Sequence, residues 1–174
     1  MKIIVGIKQV PNTTEIKIDP VTGTLNREGA VSIMNPDDKV GLEFALRLKD
    51  THQAHITVVS MGPPQAKKVL YEALAMGADR AMLLTDRLFA GSDSLATSLT
   101  LAGLLKTLEY DLIITGRQAI DGDTAQVGPQ IAEHLGIPQI SYVNSLKFKD
   151  GHFIAVRQFE DRYQTLKATA PLLV

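Results

Sequence analysis

Residues 116 to 129 read GRQAIDGDTAQVGP, directly after the apolar run DLIIT. The stretch holds an Arg, two Asp flanking a Gly, and a Gly-Pro pair where a helix ought to be gaining strength. Asp123, with Gln126 three residues on, fits a capping box in its Asp form. Thr124, Ala125, Gln126 and Val127 then offer the first free N–H groups of a helix, and the positive helix end adds to them. The chemistry such a junction can do is anion binding, of a phosphate above all. Pro129 complicates the helix, because in a continued one it would clash with the Ala125 carbonyl. Either a first turn breaks off as a short phosphate-gripping turn, or the main helix restarts with Pro129 at its first position. Both arrangements put Gly128 where a ligand can come close. The competing reading is a long capped loop with solvated charges, and these residues alone leave both open.

Three other junctions share the character of a strand end or helix start: GIKQVPN, MNPDD and SMGPPQ. In open α/β sheets ligands bind beyond the carboxyl ends of the strands, at a switch in strand order. No GxGxxG, GxxxxGK[ST] or GxxG…GS phosphate loop is present. Ser60, Ser92 and Ser94 have no His nearby in sequence, and there is no GxSxG. Asp37 and Asp38 read as complements to a helix N-terminus rather than as paired catalytic acids. Met61, at a strand end, reads as core, and Arg27 as an exposed hairpin charge. The 4 His include no helical i,i+4 pair, so they read as solvated or capping imidazoles. The sequence thus predicts no catalytic group and no metal site.

The elements that must position these junctions follow from periodicity. KIIVGIKQV is a buried strand, and EIKIDPVTGTLNREG a small hairpin turning at Pro20 to Gly23. NPDDKVGLEFALRLKD is a helix with Asn35 as N-cap and Pro36 at its first position. HITVVSMG, DRAMLLTD and DLIITG are strands two to four. PPQAKKVLYEALAMG, SDSLATSLTLAGLLKTLEY and DTAQVGPQIAEHLG are helices, the first and last stopped by Gly. PQISYVNSLKFKDGHFIAVRQFED reads as a strand and then a hairpin around KDGH. Alternating strands and helices predict a three-layer α/β/α architecture, a mainly parallel, Rossmann-like sheet with added antiparallel hairpins. With 174 residues the chain is long enough for one domain with a real core, spanning 1–174. A net charge of -1 gives no footprint for nucleic acid or a membrane surface. With Cys at 0 there are no disulfides, thiolate nucleophiles or Cys-held clusters. The N-terminal apolar run is too short for a signal sequence or a membrane span, so a cytoplasmic location is expected. The chain ends on ATAPLLV, a β-rich run, which predicts a strand and a continuation past Val174.

Taken together, VGIKQVP, MNPDD, EFALRLKD, VVSMGPPQA, ALAMGADRA and DLIITGRQAIDGDTAQVGP resemble the small (beta) subunit of electron-transfer flavoproteins. The pieces stand in that family's order and spacing over essentially the whole chain. The resemblance implies an adenine-nucleotide-binding α/β domain in a heterodimer with a larger, flavin-carrying alpha subunit. The nucleotide is AMP in one branch of the family and a second FAD in another. Carried over by position, its contacts are Gly6, Asn35, Pro36, Asp37, Asp38, Met61, Gly116, Arg117, Gln118, Ala119, Ile120, Asp121, Gly122, Asp123, Thr124, Ala125, Gln126 and Val127. TGTLNR in the hairpin and DGDTAQVG resemble the electron-bifurcating branch, which implies FAD. That flavin takes a hydride from NADH. One electron goes to ferredoxin or flavodoxin, and the other, through the alpha subunit, to an acyl-CoA dehydrogenase-type partner. Arg27 would then stand near the flavin or NADH, where a cation stabilises negative charge. Family members run past residue 174 into a partner-recognition loop and a C-terminal arm that embraces the alpha subunit, so the resemblance makes this chain a truncated form.

Overall fold

The structure is a computed structural model describing residues 1–12 and 32–174, with the two short strands Lys17–Ile18 and Leu25–Asn26 between them. Five strands form a parallel sheet. They are β1 (Lys2–Gly6), β6 (His55–Met61), β7 (Arg80–Leu84), β8 (Leu112–Ile114) and β12 (Leu172–Leu173), in the order β12-β8-β1-β6-β7. The three inner strands are continuous apolar runs, as strands covered on both faces must be. Side chains alternate between the faces. Ile3, Val5, Ile56, Val58, Leu112 and Ile114 join one buried cluster, and Ile4, Val59 and Ile113 join the other.

Four helices cover those faces. α1 (Pro36–His52) and α2 (Lys67–Met76) pack on the first through Leu42, Ala45, Leu48, Val69, Leu70 and Ala73. α3 (Ser94–Leu105) and α4 (Val127–Leu135) pack on the second through Leu105, Ile131 and Ala132. Gly77 (φ 123) ends α2 and Gly136 (φ 66) ends α4, conformations that cost glycine little. The three layers and parallel sheet are those the alternating sequence pattern predicts.

The antiparallel additions are more extensive than expected. β9 (Val143–Lys149), β10 (His152–Gln158) and β11 (Tyr163–Ala168) form a second sheet in the order β11-β10-β9. Asp150 (φ 51) and Gly151 (φ 75) make its first turn, the left-handed pair that an Asp-Gly hairpin needs. Leu146, Phe153 and Ala155 bury this sheet in the α1 cluster. β11 was not legible as a strand. The expected first strand also divides. β1 stops at Gly6, and β2 (Gln9–Pro11) instead pairs antiparallel with β5 (Ser32–Met34). β3 (Lys17–Ile18) and β4 (Leu25–Asn26) pair antiparallel, the base of the expected hairpin. Its turn, and Arg27, lie outside the described residues.

Candidate functional site

From β1 the chain winds outward through β6 to β7, then crosses to β8 on the other side of β1. The carboxyl ends of β1 and β8 therefore flank the switch point, where such sheets bind ligands. Gly6 ends β1, Met61 ends the neighbouring β6, and Gly116 comes two residues after β8.

Asn35 is the residue before α1 and Pro36 opens the helix, as the sequence predicts, but the Asn35 side chain makes no capping bond. It is fully buried and turned to the β8 loop instead. Its Nδ2 donates to the Gln118 carbonyl at 2.8 Å, and its Oδ1 accepts from the Ile120 N–H at 3.2 Å. One helical turn on, Asp38 is also buried. Its Oδ2 accepts from the Lys8 N–H at 2.8 Å and its Oδ1 from the Gly116 N–H at 3.2 Å. Lys8 closes the ring, its Nζ lying 2.7 and 2.9 Å from the two Asp121 oxygens. Arg117 Nε stands 3.6 Å from Asp37 at the rim. Three segments distant in sequence are thus tied together under residues 116–121: the exit of β1, the start of α1, and the exit of β8.

Gly116 is dictated by this closure. A Cβ there would lie 2.2 Å from Asp38 Oδ1 and 2.9 Å from the Asp38 nitrogen, closer than any side chain tolerates. Burial pushes the Asp38 carboxyl up to about 7. The Asn35 side chain and the Lys8 and Gly116 N–H groups pull it down, and the Asp37 charge adds to the rise.

The rest of the loop differs from expectation. No Asp123–Gln126 capping box forms, because Asp123 (φ 54) and Ala125 (φ 53) are left-handed and α4 begins only at Val127. The Gly122 and Asp123 N–H groups fold back on the Ala119 carbonyl at 3.3 and 2.8 Å, a tight turn ahead of the helix. Pro129 does not restart the helix. It is the third residue of α4, in the first turn, where a missing N–H costs no helical bond. Gly128 is not held open for a ligand. It is buried against β8, where a Cβ would meet Thr115 Oγ1 at 2.5 Å, so close helix–strand packing accounts for it. Thr124, Ala125, Gln126 and Val127 still present main-chain N–H groups with no acceptor among the described residues. Successive N–H groups around left-handed residues make a concavity suited to an anion.

A cavity of about 1010 Å³ opens on the α1 side of the loop, lined by Asp37, Gly116, Arg117 and Ala125 and, across from them, Tyr142 and Phe159. Of the predicted residues only Asp37, Gly116, Arg117 and Ala125 line it; Gly6, Asn35, Pro36, Asp38, Met61, residues 118–124, Gln126 and Val127 do not. Sequence reasoning passed over Lys8 and Thr115, although both sit in stretches it flagged, and weighed Ser60 only as a nucleophile. Ser60 Oγ, near the end of β6, is buried with no partner among the described residues. Lone polar residues at the ends of apolar strands were the available signal.

The electron transfer flavoprotein domain matches residues 22–174. The chain belongs to the electron transfer flavoprotein family. Over its whole length it is 61% identical to electron transfer flavoprotein subunit beta of Clostridium acetobutylicum, covering 67% of that protein. It is 54% identical, with the same coverage of both chains, to the subunit beta of Thermoanaerobacterium thermosaccharolyticum. It is 53% identical to a subunit of the caffeyl-CoA reductase–Etf complex of Acetobacterium woodii, again covering 67%. Among the described residues of this electron transfer flavoprotein chain, no group of three His, Asp or Glu could hold a metal, and no helix is long and apolar enough to cross a membrane.

Proposed function

We propose that this chain is the beta subunit of a bifurcating electron transfer flavoprotein and holds FAD at the carboxyl ends of β1, β6 and β8. The run of N–H groups at residues 124–127, without acceptors among the described residues, supports the reading, because such a donor set suits a phosphate. The Asn35 and Asp38 side chains hold the loop that presents it. Gly6 adds room over the end of β1. The nearest atom to a Cβ there would be Thr115 Cγ2 at 3.5 Å, an ordinary contact, so the protein itself does not require glycine at that position. Glycine at a strand end with no internal reason suits close approach by a ligand. In this reading the N–H groups of 124–127 would take a phosphate of the nucleotide, and Gly6, Met61 and Asn35 to Asp38 would be its other contacts.

When bound, the flavin supplies the redox chemistry; the chain supplies binding, orientation and electrostatics. In this reading the heterodimer with an alpha subunit takes electrons from NADH. It passes them to ferredoxin or flavodoxin and to an acyl-CoA dehydrogenase-type partner. The 53% identity to a caffeyl-CoA reductase–Etf subunit supports the last, since that name joins such a chain to a CoA-ester reductase. The whole assembly is proposed to be cytoplasmic, with residues 1–174 forming one nucleotide-binding domain.

The test is the nucleotide content of the purified heterodimer. Acid extraction and chromatography should release two FAD per heterodimer, and the visible spectrum should titrate as two flavins. One FAD and one AMP would replace this reading with the structural AMP-binding alternative.

A further inference from the structure

Asp38 is placed as few carboxyls are. It is 7% exposed, no cation pairs with it among the described residues, and both oxygens accept from main-chain N–H groups of different segments. The charged groups around it are engaged elsewhere. On its own helix Asp37 faces Arg117, and Lys8, from the β1 exit, reaches past it to Asp121 on the β8 loop. Asp38 also sits against Gly116, the first residue of the loop and one with no room for a side chain. We propose that Asp38 is a positioning residue, whose ionised carboxyl ties the exit of β8 to the exit of β1 and thereby sets the nucleotide affinity of residues 116–127.

This rests on the nucleotide reading above and adds its regulation. Two N–H donors satisfy a carboxylate, whereas in a protonated carboxyl the oxygen that carries the proton is a weaker acceptor and has an O–H that needs a partner of its own. The bond to Gly116, at 3.2 Å, is longer than that to Lys8, at 2.8 Å, so Oδ1 is the oxygen that loses less on taking a proton. Protonation therefore weakens the hold on the start of the loop while leaving the Lys8 bond in place. With the carboxyl pushed up to about 7, that change falls near neutrality. Global stability and loop order then respond to acid in opposite directions. Neutralising a buried charge favours the folded chain, while the loop that presents the phosphate donors loosens.

The experiment measures affinity for FAD, and separately for AMP, by calorimetry from pH 5.5 to 8.5. It uses the full chain and its Asp38→Asn variant. Amide spectra of Lys8 and Gly116 in the wild type are followed over the same range. Affinity should fall about tenfold from pH 8 to 6 in the wild type. It should be weak and flat in Asp38→Asn, and the Gly116 amide should titrate with a midpoint near 7. A flat wild-type profile, or wild-type affinity in Asp38→Asn, overturns the proposal. The amide spectra need neither ligand nor variant. A Gly116 amide that ignores pH therefore overturns the tie even if Asp38→Asn does not fold. A titrating Gly116 amide with no binding of either nucleotide at any pH upholds the tie and rejects the nucleotide reading.

Discussion

Asp79 and Asp38 use the same device at opposite ends of the parallel sheet. Asp79 accepts from the Ile56 N–H at 2.8 Å, at the amino end of β6. Asp38 accepts from the Lys8 N–H at 2.8 Å, beyond the carboxyl end of β1. The electrostatics are opposite. Partial burial would raise Asp79, but the Lys49 ammonium 2.5 Å away, the Ile56 N–H and nearby His55 together hold it below its ordinary value. Asp38 has no such cation among the described residues and is raised to about 7. A carboxylate tying a strand end is thus a structural fixture where water and lysine reach it, and a titrating one where they do not.

The largest expected effect is on pH-dependent stability. Asp38 binds its proton more tightly folded than unfolded. It therefore costs stability as pH rises from 3.8 to about 7, by up to about 4 kcal/mol. Urea denaturation of wild type and Asp38→Asn at pH 4.5 and 7.5 should show the wild type losing ground to the variant at the higher pH. Parallel profiles would place the titration elsewhere. Asp79 has the reverse sign. Its contribution is present at neutral pH and lost as pH falls through its lowered value. Asp79→Asn should cost under about 1 kcal/mol, because the Lys49 pair is partly solvated.

The next effect is steric. Gly116→Val places atoms within the Asp38 carboxyl and should destabilise by about 3 kcal/mol in chemical denaturation. Gly122, in the same loop, has nothing within 4 Å of a Cβ, and Gly122→Ala should stay within about 0.5 kcal/mol of wild type. Equal costs would mean the loop is not held as described. Asn35→Ala leaves the Ile120 N–H and Gln118 carbonyl unpaired and should cost about 2 kcal/mol. The smallest effect is Lys8→Ala. It removes a half-exposed ion pair worth under about 1 kcal/mol, and 0.5 M salt should erase the difference from wild type.

The parallel sheet and its helices were legible because apolar runs and helix stops are local properties. The junctions at the carboxyl ends of the strands were legible as unusual composition. Their interior wiring was not. Asn35 looked like a cap because caps are local, but its amide meets Gln118 and Ile120, more than eighty residues away in the chain. Gly128 read as a place for close ligand approach, and only the packing of Thr115 against it supplies the internal reason for glycine there. The capping box failed for a different reason. Left-handed Asp123 and Ala125 redirect the chain before the helix begins; Asp adopts that conformation readily, but an Ala does not announce it.

The register of β1 carries a consequence in time. Its partners are His55–Val59 on one side and Leu112–Ile114 on the other, so the centre of the sheet exists only after distant segments meet. The β9–β10 ribbon, closed by Asp150 and Gly151, needs only its own few residues. Chains dominated by non-local pairing fold slowly, while hairpins close in microseconds. Pulse-labelled hydrogen exchange during refolding should therefore protect Leu146 and Ala155 before Ile4 and Ile113. The switch point between the ends of β1 and β8, where the nucleotide is proposed to sit, should be among the last parts of the molecule to appear.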